Sequence, residues 1–215
     1  MVSPSDELYF IMRRLVKDLW IPPNSMSGNE LGQALLELCT NKNVLEFGSG
    51  GSTLLIGKVA KRLISIESDR KFARNISNLS ESMDLHNTEI IYANIGPVKS
   101  FGQPIEFFAF FYRKKYQCYT DIFYNNPIGN EQLADVVFID GRFRVWCAIE
   151  SIRNLRNDFL IIFDDYLSRS EYQSLRCVLG DPYRVVGDAA FFVVKADSIK
   201  NTELATFEEY RYDFR

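Results

Sequence analysis

The stretch that decides the fold reads Val44-Leu45-Glu46-Phe47-Gly48-Ser49-Gly50-Gly51-Ser52-Thr53. Its apolar first half predicts a buried strand, and the glycines predict a tight turn whose backbone can take positive φ and approach a ligand closely. Ser52 and Thr53 are good N-cap residues, so we expect a helix from Thr53 to Lys61. A helix that opens from such a turn presents free N–H groups to an anion, as in a nucleotide-binding cradle.

The second strand adds an acidic residue where a ribose would need one. Arg62 to Ile66 is a short, largely apolar run that leads into Glu67, which follows the first strand by about 20 residues, the spacing typical of a ribose-binding acid. An ionised carboxylate only accepts hydrogen bonds, and the two hydroxyl groups of a ribose donate them. We therefore predict that Glu67 binds the ribose of a nucleotide-type ligand.

Two features of the turn argue against a dinucleotide. The dinucleotide-binding fingerprint has glycine at its sixth position, where this chain has Thr53. Glu46, two residues before the first glycine, would add like charge beside a pyrophosphate, whereas it suits a ligand that carries an ammonium group. An NAD-dependent oxidoreductase is therefore the less favoured alternative.

The motif Glu46-Phe47-Gly48-Ser49-Gly50, together with Glu67, resembles motifs I and II of class I S-adenosylmethionine-dependent methyltransferases. Two later runs resemble downstream strands of the same fold, namely Phe138-Ile139-Asp140-Gly141-Arg142-Phe143-Arg144 and Ile161-Ile162-Phe163-Asp164-Asp165-Tyr166. The pair of motifs Gly-Ser-Gly-Gly-Ser-Thr and Asp-Gly-Arg-Phe-Arg is similar to a group of small bacterial methyltransferase-like proteins. The resemblance covers the chain from Ser27 to Lys195.

The resemblance implies S-adenosylmethionine as the cofactor. Glu46 and the turn would hold its methionine part, Glu67 its ribose and Asn94 its adenine side, although an Asn shortly before a Gly is also an ordinary turn former. The residues that we expect to bind the cofactor are Glu46, Gly48, Ser49, Gly50, Ser52, Thr53, Glu67, Ser68, Asn94 and Asp140.

Strand–helix alternation continues along the chain and ends in a hairpin, which predicts a single α/β domain over residues 1–215. We predict further helices over Asp6–Trp20, Gly28–Cys39, Asp69–Ser82, Arg144–Leu155 and Arg169–Leu179. We predict further strands over Thr88–Ala93, Ala134–Ile139, Phe159–Phe163, Tyr183–Val186 and Phe191–Lys195. The resemblance implies a Rossmann-like, seven-stranded, mostly parallel sheet in the order 3-2-1-4-5-7-6, with helices on both faces. Residues 1–40 would form an N-terminal helical extension, and residues 196–215 a loosely packed tail.

An aromatic insertion, residues 97–131, separates the third and fourth predicted strands. A link of this length is unusual in a compact domain and is often functional. Three interpretations stay open: a hydrophobic cluster beneath a long loop, a lid or wall of the acceptor site, and a subunit contact in a homodimer. We expect Asn126–Gly129 within the insertion to form a turn.

Methyl transfer from a sulfonium is an in-line displacement that depends mainly on positioning, and a hydroxyl or amine acceptor also benefits from a base. The candidate catalytic residues are Asp140, Asp164 and Arg142, with Asp165 as a further acid. Either Arg142 or Arg144 can hold an anionic acceptor or form an ion pair with these acids. We do not expect the single histidine, His86, to act as the base, because it precedes the third strand at the opposite edge of the sheet.

Asp140, Asp164 and Asp165 also resemble the carboxylates of metal-dependent catechol-type O-methyltransferases, and oxygen ligands suit Mg²⁺. Arg142 beside them would repel a cation, so we expect no metal.

The composition and net charge indicate which kinds of binding partner to expect. The 215 residues carry a net charge of −3 at pH 7, whereas a nucleic-acid-binding face is normally basic. No apolar run reaches the roughly 20 residues that span a bilayer, and the N-terminus lacks the pattern of a signal peptide. Four widely spaced cysteines indicate reduced thiols and a cytoplasmic location. We expect a small-molecule or glycan-type acceptor, with a non-catalytic module that binds S-adenosylmethionine or S-adenosylhomocysteine as the alternative.

Overall fold

The structure is a computed structural model that describes residues 30–125, 134–196, 199 and 201–215. The predicted helix over Asp6–Trp20 and the predicted turn at Asn126–Gly129 lie outside the described residues. Within them, no helix combines the length and the apolar character that a membrane crossing requires.

Nine strands are present among the described residues. They are β1 (Asn43–Phe47), β2 (Arg62–Glu67), β3 (Thr88–Tyr92), β4 (Val98–Lys99), β5 (Gln103–Pro104), β6 (Val136–Ile139), β7 (Phe159–Phe163), β8 (Arg184–Val186) and β9 (Ala189–Val194). Seven of them form one sheet in the order β3-β2-β1-β6-β7-β9-β8, and β4 pairs with β5 in a separate hairpin. The first five of the seven run parallel, β9 is antiparallel to β7, and β8 is antiparallel to β9. The predicted strand order 3-2-1-4-5-7-6 is therefore confirmed, with β6 to β9 as the fourth to seventh strands.

Helices cover both faces of the sheet. They are α1 (Glu30–Cys39), α2 (Gly51–Gly57), α3 (Arg70–Ser82), α4 (Glu106–Tyr112), α5 (Cys118–Tyr124), α6 (Arg144–Asn154), α7 (Arg176–Leu179) and α8 (Asn201–Leu204). Alternate side chains of a strand point to opposite faces. Val44 accordingly packs on the face of α1 and α2, whereas Leu45 and Phe47 pack on the face of α5 and α6.

Two predicted helices differ from the structure. The helix after the glycine turn begins at Gly51 and ends at Gly57, so Ser52 and Thr53 lie inside its first turn and Gly50 is the N-cap residue. The segment predicted as one helix over Arg169–Leu179 is a 3₁₀ helix over Ser170–Leu175 followed by α7. Its buried residues Tyr172 and Leu175 are three positions apart, which is the period of a 3₁₀ helix.

The prediction of a loosely packed tail over residues 196–215 is wrong. A 3₁₀ helix over Ala205–Tyr212 follows α8, and Leu204 and Phe207 are buried in the same core as α6. The Arg211 guanidinium lies 4.9 Å from the centre of the Trp146 ring. Leu204, Phe207 and Tyr210 share one face of this segment, because they recur every three positions.

The aromatic insertion divides into parts with opposite environments. Within residues 116–124, Tyr116, Tyr119, Phe123 and Tyr124 are buried. On α4, in contrast, Phe107, Phe110 and Phe111 are 81%, 87% and 75% exposed. The hydrophobic-cluster interpretation therefore holds for α5 and the residues just before it, but not for α4.

We expect Phe207→Ala to lower the free energy of unfolding by about 3 kcal/mol, because truncation of a buried aromatic residue leaves a cavity in the core. Urea denaturation measures this change, and Phe110→Ala on the exposed face of α4 is the matched control, which should change stability little. Equal stability of the two variants would contradict the packing of the tail.

Candidate functional site

The carboxylate of Glu46 lies beneath the glycine turn and is fully buried. It accepts hydrogen bonds from three hydroxyl groups: Ser52 Oγ at Oε1, and Thr53 Oγ1 and Ser65 Oγ, each at 2.6 Å, at Oε2. Strand alternation turns Glu46 to the face of α2, where the first helical turn supplies two of these hydroxyls. Burial raises the pKa of Glu46 to about 7, although the three hydrogen bonds oppose this shift.

Thr53 explains why the sixth position of the turn is not glycine. Its Oγ1 donates to Glu46 and also accepts a hydrogen bond of 2.8 Å from the Gly50 backbone N–H. On the other side, the hydroxyls of Ser49 and Ser65 are 2.7 Å apart. Because Ser65 donates to Glu46, Ser49 donates to Ser65. Thr53 thus joins the turn to β1, and Ser49 joins it to β2.

Two loops cross within van der Waals contact at Gly48 and Gly141. Gly48 has φ of 102°, and a Cβ atom there would lie 2.5 Å from the backbone N and Cα of Gly141. A Cβ atom on Gly141 would lie 2.1 Å from the Tyr119 hydroxyl oxygen. That hydroxyl donates to the Ile66 carbonyl oxygen at 3.4 Å and accepts a hydrogen bond from the Arg142 backbone N–H at 3.5 Å, so α5 connects β2 to the loop after β6.

Glu67 ends β2 at the same edge of the sheet, as predicted. Its Oε1 accepts hydrogen bonds from the backbone N–H groups of Ser68 and Asp69 at 2.7 and 2.8 Å, and its Oε2 accepts one from Ser49 at 3.2 Å. A carboxylate offers about four acceptor positions, so Oε2 keeps capacity for a ligand hydroxyl. Burial raises the pKa of Glu67 to about 7, against the effect of the backbone hydrogen bonds.

The β4–β5 hairpin crosses over this acid, and we call Val98–Pro104 the strap. The carbonyl oxygen of Gly102 accepts a hydrogen bond of 3.0 Å from Ser68 Oγ. The carbonyl oxygen of Phe101 accepts one of 3.0 Å from Arg142 Nε, which comes from the loop after β6. Side chains from two sides of the site therefore hold the strap, and this part of the insertion forms a wall.

A cavity of about 640 Å³ lies between the glycine turn, the strap and the loop after β6. Its size is within the range of about 300–1,000 Å³ for small-molecule sites. The described residues that line it are Gly48, Ser49, Glu67, Ser68, Asp69, Phe72, Ser100, Phe101, Gly102, Tyr119, Asp140, Gly141, Arg142 and Arg144.

Six predicted site residues line this cavity: Gly48, Ser49, Glu67, Ser68, Asp140 and Arg142. The other predicted residues do not: Glu46, Gly50, Ser52 and Thr53 belong to the turn and its support, and Asp164 follows the end of β7 near Asp140. The exposed Asn94 accepts a hydrogen bond from the Gly96 N–H at 3.1 Å, which is the turn-forming alternative. His86 lines a second cavity at the opposite edge of the sheet, together with Asn43 and Arg62 at the starts of β1 and β2.

Several cavity residues were missed from the sequence. Tyr119 and the strap lie in the insertion, where no motif indicates which aromatic residue meets the site. Gly141 could have been identified from the sequence, because a glycine just past the end of a strand permits close approach of the backbone.

The structure separates the two arginines that the sequence could not. Arg144 is buried, and its guanidinium binds the loops after β6 and β7 together. Its hydrogen bonds go to the carbonyl oxygens of Gly141 (3.0 Å), Asp164 (2.8 Å) and Asp140 (2.9 Å), and to the carboxylates of Asp140 (2.8 Å) and Asp165 (3.1 Å). Arg144 is thus the ion-pair partner of these acids.

The charged groups that follow β6 and β7 shift one another's pKa values. Burial raises the pKa of Asp140, Arg144 opposes the shift, and the nearby carboxylates of Asp164 and Asp165 add to it. Burial acts to lower the pKa of Arg144, but Asp140, Tyr172, Asp165 and Asp164 together outweigh burial and the net shift is upward. One ligand atom from each of the three acids lies within 4.8 Å of the others. Arg144 already pairs with Asp140 and Asp165, so a divalent cation there would compete with its charge, and the absence of a metal stays a prediction.

We expect Glu46→Gln to weaken the pH dependence of stability. A carboxyl whose pKa rises on folding favours the folded state most at low pH, and this contribution is lost between about pH 4.5 and 7, at up to about 1.4 kcal/mol per pH unit. Urea denaturation across this range measures the slope, which should be shallower in Glu46→Gln than in the wild type. The control Glu37→Gln removes the same charge from the surface. Parallel curves for wild type and Glu46→Gln would contradict the raised pKa.

Solved structures resemble this chain, whereas no protein-family model and no curated protein matches it. A methyltransferase-like protein from Silicibacter pomeroyi is 27% identical, the alignment covers 91% of this chain and 97% of that chain, and the TM-score is 0.76. A methyltransferase from Geobacter sulfurreducens is 12% identical over 91% and 92% of the two chains, with a TM-score of 0.53.

The branched-chain polyamine synthase from Thermus thermophilus is 10% identical over 92% of this chain and 65% of that chain, with a TM-score of 0.54. At such identities the last two similarities establish the fold alone. The structural neighbours thus include methyltransferases, and the chain has the Rossmann-like methyltransferase fold.

Proposed function

We propose that this protein is an S-adenosylmethionine-dependent methyltransferase that acts on a small-molecule or glycan-type acceptor. The observation that carries the proposal is the placement of Glu67. Its carboxylate lines the cavity beside the glycine turn and keeps acceptor capacity toward a ligand. We further propose a cytoplasmic location, supported by four free thiols of which two are buried.

The residues present fit the proposed cofactor. Glu67 would accept hydrogen bonds from the ribose hydroxyls, while Gly48 and Ser49 would let the adenosyl group and its tail lie close to bare backbone. Glu46 would act indirectly in this arrangement, because it holds the turn in shape from below. The bound cofactor would supply an activated methyl group on its sulfonium.

Asp140 is the proposed base. It lines the cavity, and its raised pKa brings proton transfer closer to neutral pH. Burial is the main cause of that raised pKa and the negative charge of nearby Asp164 adds to it, so the role of Asp164 would be to tune Asp140. Arg142 faces the same cavity from the next turn of the loop.

A binding module without catalysis is the second candidate. The observation that favours it is the contact between Asp140 Oδ1 and Arg144, since a paired carboxylate is a weaker base than a free one. An NAD-dependent oxidoreductase is less well supported, because Thr53, which bonds to Glu46 and Gly50, stands where the dinucleotide fingerprint has the glycine that lets helix and strand pack closely.

We expect Glu67→Ala to weaken the binding of S-adenosylhomocysteine at least tenfold, whereas the exposed control Glu81→Ala should bind like the wild type. Wild-type affinity should also fall as pH drops below about 7, because the ionised carboxylate is the better acceptor. In Glu67→Gln this pH dependence should disappear. Isothermal titration calorimetry at pH 6 and pH 8 tests both points, and unchanged affinity in Glu67→Ala would refute the assignment.

Transfer of a labelled methyl group to a panel of hydroxyl and amine acceptors separates an enzyme from a binding module. With an active acceptor, Asp140→Asn should lower the rate about 100-fold, the usual effect of removing a general base. Cofactor binding without any transfer would favour the module.

A further inference from the structure

Arg142 has different neighbours from Arg144 and Arg169, two other arginines near the cavity. Arg144, two residues later, has Asp140 and Asp165 as ion-pair partners, and Arg169 pairs with Asp165 at 2.7 Å. Among residues 30–125, 134–196, 199 and 201–215, no carboxylate lies within ion-pair distance of Arg142. It is nevertheless half-buried and lines the cavity.

Its surroundings leave the charge of Arg142 uncompensated. Burial lowers the pKa of Arg142, and the positive charges of Arg144 and Arg169 act in the same direction. A partly desolvated charge without a partner is costly unless a ligand supplies the opposite charge.

The hydrogen bond to the strap orients the guanidinium. Nε donates to the Phe101 carbonyl oxygen at 3.0 Å, and no hydrogen bond within the described chain uses Nη1 or Nη2. The side-by-side Nη groups therefore stay available, and such a pair binds a carboxylate or a phosphate with two parallel hydrogen bonds.

Arg142 lies at the rim of the cavity rather than on its floor. Its strap partner Phe101 is 72% exposed, whereas Glu67 and Ser49, which line the inner part of the cavity, are buried. A cofactor seated on the floor would occupy the deep positions first, so a ligand that enters afterwards meets Arg142.

We propose that Arg142 binds an anionic group, a carboxylate or a phosphate, of the methyl acceptor. The acceptor part of this inference rests on the proposed function, whereas the anion site itself does not. The same chemistry has one other source, the carboxylate of the cofactor's methionine part, and the experiment separates the two.

The first arm tests the acceptor side. Phenyl phosphate is titrated into the protein saturated with S-adenosylhomocysteine, for the wild type, Arg142→Gln, Arg142→Lys and the exposed control Arg74→Gln. Affinity should fall at least tenfold in Arg142→Gln and less in Arg142→Lys, which keeps the charge but loses the paired donors, and should stay unchanged in Arg74→Gln. Equal binding in wild type and Arg142→Gln, or no binding to the wild type at millimolar concentration, would overturn the proposal.

The second arm tests the cofactor side with S-adenosylhomocysteine and with 5′-methylthioadenosine, which lacks the amino-acid carboxylate. Both affinities should change less than twofold in Arg142→Gln. A selective loss for S-adenosylhomocysteine would assign Arg142 to the cofactor instead, and an equal loss for both ligands would show that it only holds the strap. Either result overturns the proposal.

Failure of the proposed function gives a different outcome. If the wild type binds neither adenosyl ligand, phenyl phosphate binding to the ligand-free protein still reports on Arg142.

Discussion

The buried carboxylate of Glu46 is the constraint on which the site depends. A charge-bearing group in the core of a parallel sheet is tolerated only when its hydrogen-bonding capacity is used. Here three hydroxyls use it, and two of them belong to the first turn of α2. The same bonds that satisfy Glu46 therefore fix where the helix begins and how the glycine turn lies above the strand. The shape of the turn therefore follows from the hydrogen bonds to Glu46 as well as from the conformational freedom of its glycines.

A second constraint joins the insertion to this turn. Gly48, Gly141 and the Tyr119 hydroxyl are stacked so closely that neither glycine has room for a side chain. The insertion thus contributes a floor residue from α5 and a wall from the strap, while the aromatic face of α4 stays exposed.

The sequence predicted the architecture because local patterns determine it. Strand–helix alternation and the terminal hairpin predicted a parallel sheet with one antiparallel strand at its end, and strands that end at one edge placed Glu67 beside Gly48. The strand order itself came from the resemblance to class I methyltransferases. The contacts between separate parts of the chain were not predicted. One example is Thr53, which bridges Glu46 and Gly50 and shares the Glu46 carboxylate with Ser65 of the neighbouring strand. The tail was misjudged because its composition is polar, although Leu204 and Phe207 share one face. Arg142 and Arg144 looked equivalent, since only the three-dimensional course of the loop shows which of them reaches the acids.

The network around Arg144 also bears on how this protein and its relatives can diverge. Five acceptors on two loops receive its hydrogen bonds, and a lysine ammonium, with three donors at one point, cannot span them. Position 144 therefore tolerates little change, while a change at position 142 removes one hydrogen bond to the strap and leaves the loops after β6 and β7 joined by Arg144. A lineage that adopted an uncharged substrate would be free to exchange Arg142 for a neutral residue and would have to keep Arg144.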